Sequence, residues 1–271
     1  MQSLAQIDDW PVEHAAVGVV TADGTVRGTR GDTARRFPLA SVTKPLVATA
    51  ALVALEEEAV TLDQPAGPEG STVRHLLAHT SGLAFDEHRA VAAPGTRRLY
   101  SSAGFEVLAG EIEQATGMGF ADYLHEAVLD PLGMTSTTLD GSPGHGASST
   151  VEDLLRLAAE LQTPTLMHAS TLADATSVQF PGLNGVVPGF GHQKPNDWGL
   201  GFELRDGKSP HWTGTRNSPR TFGHFGQSGT FLWVDPDAGV ACVALADRDF
   251  GDWAKSAWPS LSDAVLSEVG G

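Results

Sequence analysis

A serine and a lysine lie three residues apart just before a long apolar stretch. Ser41 and Lys44 belong to the segment 37–45, Phe-Pro-Leu-Ala-Ser-Val-Thr-Lys-Pro. Helical spacing of apolar residues follows, so both side chains project from one face of the first turn and can touch. A serine hydroxyl becomes a strong nucleophile when a neighbour accepts its proton, and an amine whose pKa is lowered by burial can do so. The pair therefore predicts acyl transfer, with the N–H groups of the helix start available to an oxyanion.

The same spacing is also typical of a serine that caps a helix beside a solvated lysine. The functional interpretation therefore depends on further motifs downstream. These are Leu76-Leu-Ala-His-Thr-Ser-Gly-Leu83, Pro94-Gly95 followed by Tyr100-Ser-Ser102, Asp130-Pro-Leu-Gly-Met134, Trp198-Gly-Leu-Gly-Phe202 and Gly223-His-Phe-Gly-Gln-Ser-Gly-Thr230.

Together with the serine and lysine, these motifs closely resemble the serine β-lactamase and penicillin-binding-protein superfamily, in its class C branch. That branch includes class C β-lactamases, D-alanyl-D-alanine carboxypeptidases, D-aminopeptidases and family VIII carboxylesterases. The likeness extends over nearly the whole chain. It implies an α+β fold of the β-lactamase/DD-peptidase type, in which an antiparallel sheet from both chain termini is flanked by helices and carries an inserted helical lobe.

The resemblance implies four catalytic residues: Ser41, Lys44, Tyr100 and His224. Tyr100 matches the tyrosine of the family's Tyr-x-Asn element, so its phenol is expected near the serine and the lysine. A tyrosine flanked by cations can release its proton below the usual pKa near 10, so Tyr100 could act as the base for acylation, as the acid for the leaving group, or as both. The base that takes the serine proton is then either Lys44 or Tyr100. His224 matches the third family element, His-x-Gly, and is expected to orient the tyrosine or the substrate.

Four further residues are expected to bind substrate: Ser102, Gly226, Gln227 and Arg248. The backbone N–H of Gln227, on the edge strand after His224, would complete an oxyanion hole with that of Ser41. Ser102 stands where the family usually has an asparagine, and the histidine replaces a lysine found in most β-lactamases. Both changes weaken recognition of a β-lactam, unless Arg248 replaces the lost charge, so we expect small activated esters to be preferred.

Three substrate classes agree with the resemblance: β-lactams, short esters and D-amino-acid peptides. Two other functions stay open, of which the first is a penicillin-binding sensor of the same fold without turnover. The second is a metallohydrolase that uses His75 and His79, which have the i, i+4 spacing of zinc ligands but lack an HExxH motif and a third ligand. For the acyl-enzyme mechanism no metal or organic cofactor is expected.

The acidic composition limits the partners. The chain has 33 Asp and Glu against 17 scattered Lys and Arg, a net charge of −16, which would repel nucleic acid. No uninterrupted apolar stretch is long enough to span a membrane, and the first residues lack the basic and apolar regions of a signal peptide. The sequence as given predicts a cytoplasmic protein that acts on small molecules, and a secreted form trimmed of its leader would have the same sequence.

Strands at both chain ends are expected to carry the site. Asp23-Gly24 predicts a tight hairpin between residues 15–21 and 25–29, and residues 230–234 and 240–246 predict a second strand pair. We expect all four in one antiparallel sheet. The predicted helices cover residues 42–58, 72–78, 102–116, 120–128, 150–161 and 253–269.

The chain is expected to form one catalytic unit over residues 1–271 with two lobes. Residues of about 1–62 and 199–271 would form the α/β lobe, and residues of about 63–198 the helical lobe. The Gly-, Pro- and His-rich stretch 180–198 predicts a long loop that walls the site. The substrate would then bind in the cleft between the lobes.

Overall fold

The computed structural model describes residues 1–270. Its first half contains β1 (Ala15–Thr21), β2 (Val26–Gly31), β3 (Phe37–Pro38), α1 (Thr43–Glu56), α2 (Val73–Leu77), α3 (Ser102–Thr116), α4 (Phe120–Leu124) and β4 (Thr138–Leu139). Its second half contains β5 (Ala147–Ser149), α5 (Val151–Glu160), α6 (Ala169–Ala175), β6 (Gly185–Val187), β7 (Gly191–Gln193), β8 (Glu203–Leu204), β9 (Phe222–Gly226), β10 (Thr230–Asp235), β11 (Val240–Ala246) and α7 (Asp252–Val269). A 3-10 helix, Ser3–Asp9, precedes β1.

Both ends of the chain contribute to one antiparallel sheet, as predicted. Its strand order is β2-β1-β11-β10-β9-β8. Strand β1 pairs along its whole length with β11, from Ala15 opposite Ala246 to Thr21 opposite Val240. The predicted hairpin at Asp23-Gly24 is confirmed, with a bulge between Val19 and Val20.

The sheet is covered on both faces, which explains why every residue of β11 is buried. Alternate side chains of the strands point to opposite faces. Val243 and Leu245 pack in the larger core with α1 and α5, whereas Cys242 and Ala244 pack in a second core with α7. Cys242 is fully buried, and burial raises the pKa of its thiol.

Helix α1 passes through the centre of the larger core. All its residues from Thr43 to Ala54 are buried, and α2, α3 and α4 supply apolar side chains to the same core. Helix α3 begins and ends where predicted, whereas the predicted helix 120–128 divides into α4 and a π-helical turn, His125–Leu129. The division into lobes at residues 63 and 198 stays a prediction. Helix α5 packs on the sheet, where Leu155 lies over Gly18.

The sequence patterns missed several short elements. Helix α6, the two-residue strand β8 and the small hairpin of β6 and β7 inside the predicted loop 180–198 carry too few residues for periodicity to detect. His224 lies within β9, whereas we expected it to precede the edge strand. No helix among residues 1–270 is long and apolar enough to cross a membrane.

Gly226, at the end of β9, allows the sheet to approach the segment before α1. A Cβ atom at this position would lie 2.2 Å from the Leu39 carbonyl oxygen and 2.4 Å from Thr230 Oγ1. The Thr230 hydroxyl donates to the same carbonyl at 2.8 Å, and the Ser228 hydroxyl donates to the Pro38 carbonyl at 2.7 Å. The glycine is therefore needed for packing of the sheet against the turn that contains Ser41.

We expect Gly226→Ala to lower the free energy of unfolding by about 1 to 3 kcal/mol, because the added methyl overpacks backbone and hydroxyl atoms that are already hydrogen-bonded. Urea denaturation of the parent and the variant measures the change. Gly110→Ala is the matched control: no atom lies within 4 Å of a Cβ there, and alanine stabilises a helix interior by roughly 0.5 to 1 kcal/mol. Equal midpoints for Gly226→Ala and the parent would contradict this account of the contact.

Candidate active site

Ser41 lies in a single 3-10 turn, Ala40–Val42, that leads directly into α1. Ala40 has φ of 45°, a left-handed conformation that is uncommon for a residue other than glycine. Leu39 is held on both sides: its N–H donates to the Ala147 carbonyl at 2.9 Å, and its carbonyl accepts from Thr230. The serine is therefore positioned by the sheet and by β5 as well as by its own helix.

Lys44 is fully buried beneath the serine turn. Its Nζ donates to Ser102 Oγ at 3.1 Å and to the Gly144 carbonyl at 2.7 Å, and it lies 4.5 Å from the centroid of the Tyr100 ring. No hydrogen bond joins the amine to Ser41 within residues 1–270, and these two acceptors take up its donors. Burial lowers the pKa of the amine to about 7, although the charge of Glu106 opposes that shift.

Gly144 was not predicted as part of the site. A Cβ atom on it would lie 2.7 Å from the Ser102 Cβ, so only glycine lets its carbonyl reach the amine of Lys44. The glycine-rich segment 141–146 is the sequence feature that could have indicated a close backbone approach here. Ser102 is 3% exposed and faces the amine, which corrects its expected role: it holds Lys44 and does not line the cavity that would receive substrate.

Tyr100 and His224 form a hydrogen-bonded pair beside Ser41. His224 Nδ1 lies 2.6 Å from the Phe225 carbonyl, which can only accept, so Nδ1 carries the proton. The other nitrogen, Nε2, therefore accepts from the Tyr100 hydroxyl at 3.2 Å. Burial, assisted by the nearby charge of Lys44, lowers the pKa of the histidine to about 3, so the ring is neutral.

The expectation that neighbouring cations would lower the pKa of Tyr100 is wrong. Burial raises the pKa of the phenol, and the hydrogen bond with Ser41 offsets only part of that rise. The physical reason is that neither neighbour is a fixed cation: His224 is neutral, and Lys44 is only partly protonated near pH 7. Tyr100 therefore carries its proton at neutral pH.

A cavity of about 330 Å³ opens over these groups. Its walls are mainly apolar and aromatic, and its lining comprises Ser41, Phe85, Tyr100, Pro188, Trp198, Glu203, His224, Phe225 and Gln227. Within residues 1–270 the backbone N–H groups of Ser41 and Gln227 donate to no protein acceptor. Both residues border the cavity, so their N–H groups are available to a substrate oxygen.

Glu203 is a cavity-lining residue that the sequence analysis missed. Its carboxylate accepts from Trp212 Nε1 at 2.7 Å and lies 3.6 Å from Lys208 Nζ. Burial raises its pKa, but the charges of Lys208 and His211 and the hydrogen bonds outweigh that effect and lower it to about 2. Glu203 therefore stays ionised as the buried partner of Lys208, and no Lys or Arg lines the cavity.

Arg248 does not join the other expected site residues. Its Nη1 donates to the Pro11 carbonyl at 2.7 Å, toward the N-terminal segment, and the side chain is exposed. It does not border the cavity. The sequence placed it correctly after β11, but only the structure shows the direction of the side chain.

The two histidines of the alternative metal site form hydrogen bonds with different segments of the chain. His75 Nδ1 bonds with Thr72 Oγ1 at 2.8 Å, whereas His79 Nδ1 accepts from the Ser101 N–H at 3.1 Å. The His79 ring packs against Tyr100, with centroids 4.5 Å apart. One group of three in residues 1–270 could share an ion, namely Glu13, His14 and Asp247, and it includes neither histidine.

Comparison with known proteins identifies relatives across the whole length of the chain. The family model described as Beta-lactamase matches residues 7–265. The crystal structure of a beta-lactamase from Mycobacterium bovis is 61% identical, with a TM-score of 0.97, over 98% of this chain and 99% of that chain. Esterase EstB of Burkholderia gladioli is 26% identical over 85% of this chain and 82% of the esterase. A penicillin-binding protein of Bacillus subtilis is 32% identical over 37% of this chain, but the match spans only 30% of that protein.

These similarities agree with the architecture. The α+β fold expected from the motifs is confirmed: a sheet built from both termini is covered by helices, and its relative at 61% identity superposes over nearly every residue. The chain therefore belongs to the Beta-lactamase family.

Proposed function

We propose that this serine hydrolase works through a covalent acyl-enzyme on Ser41, with Lys44 as the base and Tyr100 as the acid. The observation that carries the proposal is the fully buried Lys44 amine, whose pKa of about 7 leaves a large fraction neutral at physiological pH. A neutral amine has two N–H donors and one lone pair. Ser102 and the Gly144 carbonyl engage the two donors, so the lone pair is free to accept a proton.

In acylation the Ser41 hydroxyl oxygen attacks the substrate carbonyl carbon. The proton passes to the Lys44 amine, either directly or through the adjacent Tyr100 hydroxyl. The carbonyl oxygen takes up the negative charge, and the N–H groups of Ser41 and Gln227 stabilise it. As the tetrahedral intermediate collapses, the leaving group takes a proton from the Tyr100 hydroxyl, and the Lys44 ammonium returns a proton to the phenol.

Deacylation repeats these steps with water in place of the serine. Water attacks the acyl carbon and loses a proton to Lys44, the bond between the acyl carbon and Ser41 Oγ breaks, and the serine regains its proton. His224 stays neutral throughout and holds the phenol through its Nε2. It is therefore a positioning residue for Tyr100.

We propose an ester whose reacting end is small and uncharged as the preferred substrate class. The cavity offers aromatic walls, a nucleophile and two free N–H groups, which suffice for an activated ester. A β-lactam also carries a carboxylate, and no Lys or Arg lines the cavity to bind it. Ser102 is turned away beneath Lys44, so it offers no hydrogen bond to a side-chain amide.

A β-lactam is the second candidate. It is favoured by the 61% identity with the Mycobacterium bovis protein, which is described as a beta-lactamase. The same acyl-enzyme chemistry opens a β-lactam ring, because the amide nitrogen of the ring becomes the leaving group and accepts the proton.

We expect Ser41→Ala to abolish both covalent labelling and turnover, because it removes the nucleophile without burying a charge. Intact-protein mass spectrometry after mixing with a p-nitrophenyl ester detects the acyl-enzyme, while p-nitrophenol release measures turnover. Ser256→Ala, at an exposed serine of α7 away from the cavity, is the control and should label like the parent. Parent-like turnover by Ser41→Ala would refute the mechanism, and labelling of the parent without turnover would support the sensor.

The pH profile should identify the base. Because Lys44 acts unprotonated and burial lowers its pKa to about 7, kcat/KM is expected to rise as pH increases through about 7 and then to level off. Lys44→Arg should lose activity, since arginine stays protonated. Tyr100→Phe should lower kcat by about 10² to 10⁴, the scale for loss of a general acid, yet keep the rise near pH 7. If the rise disappears in Tyr100→Phe, the phenol is the titrating base.

Substrate preference is tested by comparing p-nitrophenyl butyrate with a cephalosporin. Each unmade hydrogen bond or charge contact costs about 1 to 3 kcal/mol, or roughly one to two orders of magnitude in rate constant. We therefore expect kcat/KM for the ester to exceed that for the cephalosporin by at least about tenfold. Efficient cephalosporin hydrolysis with little ester turnover would select the second candidate.

A further inference from the structure

A second and larger depression, of about 710 Å³, continues from the catalytic cavity. We call it the outer groove. Phe85, Tyr100 and Pro188 line both the outer groove and the catalytic cavity. A substrate bound at Ser41 can therefore extend from the cavity into the groove while it stays in contact with the protein. Its remaining walls come from residues 83–99 on one side and residues 182–192 on the other.

The two walls are held together by Arg98. Its backbone N–H donates to the Asn184 carbonyl at 3.2 Å. Its guanidinium donates to the carbonyls of Ala78, Gln179 and Asn196 at 2.5, 2.7 and 3.0 Å. Because these acceptors come from segments far apart in the chain, the two groove walls are fixed to each other by the fold itself.

Exposed apolar side chains are concentrated in this groove. Phe85, Val91 and Val186 are 55%, 48% and 55% exposed, and they account for three of the five large apolar side chains that are exposed in residues 1–270. Phe85 also stacks on Tyr100, with ring centroids 6.0 Å apart. The apolar part of this lining reaches Tyr100, which lies beside Ser41, and it fits an aliphatic chain attached to the scissile carbonyl.

The charge of the groove is opposite to that of the protein. Apart from Tyr100, which it shares with the cavity, its ionisable residues are all basic: they are Arg97, Arg98 and His192, although the chain carries a net charge of −16. The Arg98 guanidinium is occupied by backbone carbonyls. Arg97 is exposed, and within residues 1–270 its side chain makes no hydrogen bond or ion pair, so it is available to an anion.

We propose that the outer groove binds an acyl chain that ends in a carboxylate, with Arg97 as the residue that recognises the anionic end. The substrate class is then a monoester of a medium-chain dicarboxylic acid, with its ester at Ser41 and its free carboxylate at Arg97. This inference rests on the proposed function. It also agrees with the positions of the cations: no Lys or Arg lines the cavity at Ser41, whereas Arg97 lines the groove beyond it.

The test compares p-nitrophenyl esters of matched chain length. The substrates are the octanoate and the mono-p-nitrophenyl ester of suberic acid, which differ by a terminal carboxylate, together with the acetate as the shortest reference. An exposed ion pair contributes up to about 1 kcal/mol, so kcat/KM for the suberate is expected to exceed that for the octanoate by about two- to fivefold at low salt. The ratio should fall toward one at high salt, because screening weakens exposed charge pairs.

Variants of the cation make the test specific. Arg97→Ala should bring the suberate-to-octanoate ratio to about one, Arg97→Glu should bring it below one, and Arg97→Lys should preserve it. Arg89→Ala is the matched control, because Arg89 lies on the same segment but pairs with Glu87 at 2.9 Å and does not line the groove; it should keep the parental ratio.

The outcomes separate the two proposals. A suberate preference that disappears in Arg97→Ala and persists in Arg89→Ala supports the groove. Ser41-dependent turnover of the acetate with no suberate preference, or with equal ratios in the parent and Arg97→Ala, overturns the groove and leaves the proposed function standing. Failure to turn over any of the three esters overturns the proposed function and this inference together.

Discussion

Burial of the Lys44 amine without a carboxylate partner is the interaction on which the site depends. A charged ammonium in such a place is unfavourable, so the amine stays partly neutral at physiological pH, and two hydrogen-bond acceptors match its two donors. The acceptors come from the start of α3 and from the glycine-rich turn before β5. The α1 turn alone would leave the Lys44 amine exposed to water. The segments that contain Ser102 and Gly144 are therefore needed to bury this amine and to accept its hydrogen bonds.

Close backbone approach makes that arrangement possible. Gly226 lets the sheet reach the Leu39 carbonyl, and Gly144 lets its own carbonyl reach beneath Ser102. A side chain at either glycine would separate elements that must lie together, and a separation of about 1 Å is enough to weaken catalysis substantially. Glycines at these two positions thus affect the geometry of the serine and the electrostatics of the lysine.

Three neutral groups and one anion define the electrostatics of the cavity. Tyr100 is protonated, His224 is neutral and Lys44 is partly neutral, while Glu203 stays negative because Lys208 and His211 lie beside it. Such a site suits chemistry in which a proton moves between neighbours without a large change in total charge. Arg97, in the outer groove, is not among the groups that shift the pKa values of Lys44, Tyr100, His224 or Glu203.

Local pattern in the sequence determined the nucleophile motif, the hairpin at Asp23-Gly24, the limits of α3 and the strand β11, because each depends on neighbours in the chain or on a regular period of apolar residues. The family resemblance extended this to the fold class and to Tyr100 and His224. Only the tertiary structure decided what surrounds each polar group. Gly144 meets Lys44 across 100 residues, Arg248 turns toward Pro11, Ser102 faces inward, and burial reverses the expected pKa shift of Tyr100. Direction and burial of a side chain depend on elements distant in sequence, and no local pattern encodes them.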